Sequence, residues 1–175
     1  GLAWALYPQI SGGQVLRLDL EWLPALGLNF TLRLDGFAWM FAILVTAIGF
    51  LVVLYARYYL SPADPVPRFF SFFLGFMGSM LGVVLAGNLI QLVLFWELTS
   101  LFSFLLIGYW HRNAAAREGA RMALVVTSAG GLCLFAGAVL LGQIVGSYDL
   151  DVVLRSGDAV RAHALYLPAL LLVLA

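Results

Sequence analysis

The sequence has no lysine, only one cysteine and few charged residues of either sign. Charged residues are 10% of the 175 positions, whereas hydrophobic residues are 63%, and the mean hydropathy is +1.01. A typical soluble domain is about 25% charged and about 45–50% apolar, and a chain of this size must expose a large share of its residues. The composition therefore argues against a soluble enzyme, a nucleic-acid-binding domain or a disordered tail, and it indicates an integral membrane protein.

Because there is no lysine, the nine positive side chains are all arginines, and they balance nine acidic residues to give a net charge of +0. This balance offers no basic patch for a nucleic acid, so no nucleic-acid partner is predicted. The lone Cys133 excludes an internal disulfide and a metal site built from cysteines. The sequence has no phosphate-binding loop, nucleophile elbow or zinc-ligand spacing, and we expect no cofactor and no bound metal.

Long apolar runs dominate what the sequence does contain. A membrane-spanning helix needs about 20 mainly apolar residues, and four segments reach that length: about 36–60, 69–86, 88–110 and 121–143. Gly87 and Asn88 separate the second from the third, because glycine ends helices and asparagine caps the next one. Residues 164–175 have the composition of the start of a fifth span, and residues 1–7 that of the end of an earlier one. We therefore expect residues 1–175 to be an internal fragment of one larger membrane domain.

Segment 13–35 follows a different pattern. Apolar and polar residues alternate with a period of two on both sides of Pro24 and Gly27, and this alternation predicts a β-hairpin at the membrane surface. Asp35 at its end is expected to stabilise the start of the first span, where backbone N–H groups are exposed. Residues 148–154 are predicted to form a short strand or an amphipathic turn.

The arginines predict the orientation of the spans, since cytoplasmic loops are rich in positive charge. Arginines cluster in and beside segments 61–68 and 111–120, whereas the other connections carry either no charge or more acids than arginines. We therefore place these two segments inside the cell, and 8–35, 87–88 and 144–162 outside it. The excess of arginine is thus found in every second connection, as a consistent topology requires.

Glu97 is the one acidic residue well inside a predicted span. A carboxylate at the bilayer centre costs about 2.5–3.5 kcal/mol on insertion scales, so such residues face a bundle interior or a wet cavity and mark functional sites by default. Burial favours the neutral form of a carboxyl group, and a nearby cation favours the charged form. A group held between these effects can exchange protons, which predicts that Glu97 is an intramembrane proton carrier. The alternative is a protonated glutamic acid that only hydrogen-bonds a neighbouring helix.

Five further polar residues are candidates for a proton path near Glu97: Ser100, Thr127, Ser128, His111 and Arg121. For the three hydroxyl residues, helix packing or a bond to the carbonyl four residues earlier is the favoured interpretation. Arg121 opens the fourth span, where it either snorkels to the head groups or stands at the mouth of the path. Histidine titrates near neutral pH, so His111 could feed protons, although an interfacial histidine needs no such role.

Two runs carry a resemblance to a known family. The run NLIQLVLFWELTSLFSFLLIGYWHRNAAAREGARMALVVTSAGGLCLFAGAVLLG, at 88–142, resembles the large antiporter-like subunit of Mrp-type multisubunit cation/proton antiporters. These are relatives of the proton-pumping membrane subunits of respiratory complex I. The run LDGFAWMFAILVTAIGFLVVLYARYYLSP, at 34–62, is similar to that family's third transmembrane helix and the loop after it. The resemblance covers nearly the whole chain.

The resemblance implies the fold class, an all-α integral membrane bundle of the antiporter type with a short extracytoplasmic β-hairpin. This chain would hold about helices three to six of the bundle, with parts of two and seven. Glu97 would be the proton-path carboxylate of the fifth helix, paired in the family with a lysine on the seventh helix, beyond Ala175. Arg121 stands where the family usually has lysine. If this position had to release a proton, the change would matter because arginine effectively cannot do so; the alternative is that Arg121 supplies only a fixed field.

The function that the resemblance implies is transport rather than enzymatic catalysis. The chain would belong to one subunit of a hetero-oligomeric complex in the bacterial cytoplasmic membrane, which exchanges protons for Na⁺ or another monovalent cation. Two alternatives stay open. One is a redox-driven proton-pumping subunit of complex I or of a membrane-bound hydrogenase, and the other is a helix bundle that conducts nothing.

Overall fold

The computed structural model describes residues 2–23, 28–61, 64–110 and 112–175. In chain order its elements are α1 (Leu2–Ser11), β1 (Leu16–Leu23), β2 (Leu28–Leu34), α2 (Gly36–Tyr59), α3 (Val66–Leu85), α4 (Leu89–Ile107), α5 (Ala114–Val145), α6 (Leu150–Arg155), α7 (Gly157–Ala162) and α8 (Tyr166–Leu174). Helices α2 to α5 are long and apolar enough to cross a membrane. This confirms the predicted fold class, a helical multi-pass membrane protein with one small β-hairpin.

The central helix of the described bundle is α4, which packs against α3 on one side and α5 on the other. Its start is fixed by Asn88, whose side-chain oxygen accepts a hydrogen bond from the backbone N–H of Ile90 at 2.9 Å, as expected of an N-cap. Helices α3 and α4 approach closely because Gly82 leaves room for the ring of Phe95, which a methyl group at position 82 would overlap.

Helix α5 is longer than the predicted span, which we expected to begin near residue 121. It begins at Ala114, after Asn113 accepts a hydrogen bond from the backbone N–H of Ala115 at 2.9 Å. Residues 114–120 are mostly good helix formers but are not an apolar run, so hydropathy did not detect this part of the helix. The 32 residues of α5 rise about 48 Å at 1.5 Å each. Because the hydrocarbon core is about 30 Å thick, part of α5 lies at the level of the head groups.

The strands β1 and β2 pair antiparallel, which confirms the predicted hairpin. Arg17 lies opposite Arg33 in this pairing, and like charges in direct opposition destabilise a sheet. Acidic residues from both near and distant parts of the chain compensate this repulsion, as described below. The turn predicted at Pro24 and Gly27 lies outside the described residues.

The short helices correct several expectations. The strand or turn predicted at 148–154 is wrong, because helix α6 begins after Asp149, whose side chain accepts hydrogen bonds from the backbone N–H groups of Asp151 and Val152. An aspartate in this position starts a helix. Helix α1 continues to Ser11, past the end predicted at residue 7. Helix α8, in the segment expected to begin a fifth span, starts at Tyr166 and packs against α5.

The hairpin, the α3–α4 connection and the start of α6 lie together at one end of the bundle, which we call the hairpin end. The backbone N–H of Gly87 donates to the carbonyl of Thr31, and that of Leu150 donates to the carbonyl of Gly87, both at 2.9 Å. The charge pattern had placed these segments on the same side of the membrane. That this side is extracytoplasmic stays a prediction.

Candidate functional site

Glu97 lies at the middle of α4, eight residues after Leu89 in a helix of 19 residues. Its neighbours along the helix are mainly apolar, apart from Thr99 and Ser100. One of its oxygens, Oε1, is buried and has no hydrogen-bond partner within the described part of the chain. A buried polar atom without a partner costs about 1–3 kcal/mol. This cost favours protonation of the carboxyl group or contact of Oε1 with a water molecule or a further residue.

The carboxyl group of Glu97 lies against Gly131 of α5. A methyl group at position 131 would overlap Oε1 of Glu97, whereas one at the adjacent Gly130 would meet nothing within 4 Å. Gly131 is also buried. Because residue 131 is glycine, the carboxyl group of Glu97 can lie directly against the backbone of α5.

A cleft of about 710 Å³ opens between α4 and α5 beside this contact. Glu97 and Ser128 are the polar side chains on its wall, and apolar residues form the rest: Ile90, Val93, Leu94, Leu98, Leu101, Leu124, Leu132 and Phe135. Ser128 precedes Gly131 by three residues and so shares its face of α5. No basic residue among those described lines the cleft. The site thus offers one ionisable group and one hydroxyl in apolar surroundings.

Arg121 is not part of this site. It lies ten residues before Gly131 on α5, which corresponds to about 15 Å along the helix axis. Its side chain is exposed and lines a different cleft, together with Arg68 and Arg117, at the end of the bundle opposite the hairpin. We call this opposite end the far end. Arg121 can therefore act on Glu97 only at long range.

The other four candidate residues lie in different surroundings. The Thr127 hydroxyl donates to the Ala123 carbonyl at 2.8 Å, and the Ser100 hydroxyl donates to the Trp96 carbonyl at 3.4 Å. Both bonds are of the helix-internal kind that the favoured interpretation describes, and neither residue lines the cleft beside Glu97. Ser128 does line it. His111 lies outside the described residues.

Sequence reasoning missed Gln91. Its side chain is buried, and its oxygen Oε1 accepts a hydrogen bond from the backbone N–H of Thr31 at 2.9 Å, which joins α4 to the hairpin. Its nitrogen Nε2 is buried without a partner among the described residues. Gln91 precedes Glu97 by six residues, or about 9 Å along the axis. A lone amide within an apolar run was the signal that could have identified it.

A network of charged side chains lies at the hairpin end of the bundle. It consists of two arginines and four aspartates: Arg17, Arg33, Asp19, Asp35, Asp149 and Asp151. Arg17 binds Asp19 at 2.8 Å and also contacts Asp149. Arg33, whose side chain is 14% exposed, binds Asp151 at 2.8 Å. We call this set the hairpin network.

The arginines hold the aspartates in their charged form. The hydrogen bond from Arg17 lowers the pKa of Asp19 below its usual value. Burial raises the pKa of Asp149, but the hydrogen bond and charge of Arg17 outweigh burial and leave that pKa lowered. Asp35 accepts from the backbone N–H of Ala38 at 2.8 Å, which confirms its predicted role at the start of α2.

Comparison with known proteins adds two family matches. Residues 86–175 match the family described as "NADH:quinone oxidoreductase/Mrp antiporter, TM". Residues 22–70 match the family described as "NADH-Ubiquinone oxidoreductase (complex I), chain 5 N-terminus". Together these matches include the second hairpin strand, helices α2, α4 and α5, and Glu97, whereas residues 71–85 of α3 lie between them.

Individual relatives are similar over almost the whole chain. The chain is 66% identical to a probable K⁺/H⁺ antiporter subunit of Rhizobium meliloti over 169 residues, which are 97% of this chain and 17% of that protein. It is 46% identical to a Na⁺/H⁺ antiporter subunit of Bacillus subtilis over 163 residues, 93% of this chain and 20% of that protein. The Mrp complex of Dietzia sp. DQ12-45-1b contains a chain with the same fold, at a TM-score of 0.87 and 32% identity, over 98% of this chain and 19% of that one. The chain thus spans about a fifth of the length of these proteins.

Proposed function

The chain belongs to the NADH:quinone oxidoreductase/Mrp antiporter transmembrane family, and on this premise we propose that it forms part of a subunit that exchanges protons for a monovalent cation. The subunit would work in a hetero-oligomeric complex of the bacterial cytoplasmic membrane, because the similar solved chain comes from an Mrp complex. The cation would be Na⁺ or K⁺, since the two relatives described above are named for one or the other. Glu97 would carry the proton.

The observation that carries this proposal is the unpartnered Oε1 of Glu97 in the cleft between α4 and α5. A proton carrier must be neutral in one step and charged in another, so it needs surroundings that do not fix its charge permanently. A permanent ion pair with an arginine would fix it. No basic side chain among the described residues lines the cleft, and Arg121 lies about half the thickness of the hydrocarbon core away along α5.

A movable positive charge would complete the mechanism. We propose that the lysine implied by the family resemblance, on a helix beyond Ala175, approaches the open side of the cleft. While the lysine is near, it stabilises the Glu97 carboxylate, and when it moves away, the carboxylate takes up a proton. Ser128 and water in the cleft would then connect Glu97 to the next proton acceptor. Arg121 would contribute a fixed positive field at the far end.

The test is cation-triggered proton efflux from inside-out vesicles that contain the complete complex. Glu97→Gln preserves the shape of the side chain but cannot carry a charge, so we expect exchange with Na⁺ and with K⁺ to fall to the level of empty vesicles. Glu118→Gln is the matched control, because Glu118 is exposed on the first turns of α5, and we expect it to keep the exchange rate. Full exchange in an assembled Glu97→Gln complex would exclude Glu97 as the carrier.

The match of residues 22–70 to a complex I chain favours one second candidate, a protein whose proton transport is driven by a redox reaction. The two functions separate in the same vesicles. An antiporter exchanges protons when only a cation gradient is applied, whereas a redox-driven pump requires an electron donor and acceptor. A wild-type complex that gives no exchange with either cation and pumps only with redox substrates would replace the antiporter proposal.

A further inference from the structure

The far end of the bundle carries a second cleft, of about 330 Å³, from which the proposed transport mechanism uses only the positive field of Arg121. Three arginines line it, Arg68 near the start of α3 and Arg117 and Arg121 on the first turns of α5. The rest of the wall consists of Phe104, Leu105, Gly108 and Ala120. No acidic residue among those described lines this cleft. A ligand in the cleft would therefore meet positive charge between apolar walls.

The depth of the cleft in the membrane follows from the helix geometry. If Glu97 and Gly131 mark the membrane centre, Arg121 lies about 15 Å from that centre, which is half of a hydrocarbon core about 30 Å thick. Arg117 lies one turn farther out. Both guanidinium groups thus stand at the level of the phosphate groups of the lipids, with the apolar part of α5 below them.

The arginines are suited to a phosphate group. Arginine binds phosphate through two parallel hydrogen bonds and is less strongly hydrated than lysine. Arg121 forms no ion pair with any described residue, and Arg68 lies over the ring of Phe72 at 5.3 Å. The volume of the cleft equals that of about ten water molecules, so a phosphate group and its ester oxygens fit inside it.

An apolar surface continues from the arginines toward the membrane centre. Met122 and Val125 of α5 are 65% and 67% exposed and line a groove of about 470 Å³ that Arg117 and Arg121 share. Glu118 lines this groove as well, so the phosphate group is better placed in the cleft that Arg68, Arg117 and Arg121 line. Acyl chains would then lie over Met122 and Val125. Positive clefts between transmembrane helices that open on apolar surface bind anionic head groups.

We propose that the cleft lined by Arg68, Arg117 and Arg121 binds the phosphate group of one anionic phospholipid, whose acyl chains cover the outer face of α5. The lipid would fix the first turns of α5 against the start of α3 through a shared ligand. It would also offset the positive field that Arg121 exerts on the transport site. The lipid site does not depend on the proposed antiport, because it is defined by binding alone.

The test is a titration of the delipidated complete complex with phosphatidylglycerol, with bound lipid counted by native mass spectrometry. Arg68→Gln/Arg121→Gln removes two of the three cleft charges, and we expect roughly 30-fold weaker binding from the usual contribution of arginines at a membrane surface. Arg57→Gln/Arg112→Gln is the matched control. It removes two exposed arginines from the same end of the bundle but outside the cleft, and we expect clearly less weakening than in the cleft variant, because the attraction to a charge falls off within a Debye length.

Several results would overturn the proposal. Equal weakening in both double variants would mean attraction to diffuse surface charge, and no weakening in the cleft variant would mean that the arginines bind a carboxylate of the protein. Displacement of the lipid by an equal concentration of inorganic phosphate would mean that the cleft takes a free anion. If the cleft double variant fails to assemble, the single variant Arg121→Gln tests the same point, since this exposed side chain has little packing to lose. We expect about fivefold weaker binding from it, and unchanged binding would refute the site.

Discussion

Replacement of Gly131 by alanine tests whether the contact between the Glu97 carboxyl group and α5 matters for transport. The added methyl group overlaps Oε1 of Glu97, so either the carboxyl group or α5 must move. Overpacking of this kind costs about 1–3 kcal/mol. The helix gains about 1 kcal/mol from the replacement of glycine by alanine, so a net loss of about 0–2 kcal/mol remains. The displacement of the carboxyl group is therefore the main consequence, and we expect proton–cation exchange to fall while assembly is retained.

The matched control is the neighbouring glycine. Gly130→Ala adds the same methyl group one position earlier, where nothing lies within 4 Å, so it gains the helix propensity without the overlap. We expect wild-type exchange and a slightly raised unfolding temperature. Exchange is measured as cation-triggered proton efflux from inside-out vesicles, and stability as the unfolding temperature of the detergent-solubilised complex.

A third variant separates steric displacement from general damage to α5. Glu97→Asp shortens the side chain by one methylene, which relieves the overlap with a methyl group at position 131. The stability losses of Gly131→Ala and Glu97→Asp should then be non-additive, with a coupling of about 0.5–3 kcal/mol as is usual for residues in contact. Additive losses, or equal exchange in Gly131→Ala and Gly130→Ala, would refute the close contact between Glu97 and α5.

Two further predictions concern the hairpin end. Gln91→Leu removes the acceptor for the buried backbone N–H of Thr31, so we expect a loss of about 1–3 kcal/mol, seen as faster hydrogen exchange of the hairpin amides. Gln143→Leu, at an exposed position on α5, should leave that exchange unchanged. Because the pKa values of Asp19, Asp35 and Asp149 are lowered in the folded protein, their stabilising effect is complete above the ordinary aspartate pKa of about 3.9 and is lost as the pH falls below it. Hairpin amides should exchange at a constant opening free energy from about pH 7 to pH 5 and open more easily near pH 3, and no change over that range would contradict the network.

The sequence predicts those parts of the fold that depend on local patterns. Apolar runs identify the spans because a helix in lipid must be mainly apolar over about 20 residues, and alternation identifies the hairpin because strand side chains point to opposite faces. Asp35 was also predictable, since its partner Ala38 is three residues away. The start of α5 was not, because residues 114–120 include Arg117 and Glu118 and lie beyond the apolar run.

The site required the tertiary structure. Glu97 stood out as an intramembrane acid, but the glycine that receives its carboxyl group is 34 residues away on another helix, and one glycine of an adjacent pair is not distinguishable from the other by composition. Gln91 and Thr31 are separated by 60 residues. The same holds for the far-end cleft, where arginines from two separate segments, which the sequence analysis used to orient the spans, line one space.

The hairpin network also has a consequence for the order in which the protein is made. Arg17 and Asp149 are 132 residues apart, and all four long helices lie between them in the chain. During synthesis both arginines of the hairpin leave the ribosome before any of these helices, and their distant carboxylates follow only after α5. Asp149 and Asp151 can meet the arginines only if an even number of crossings has brought them back to the same side. The ion pairs to Asp149 and Asp151 therefore form only after α5 has been made, and not in a chain in which one of the four long helices has failed to cross.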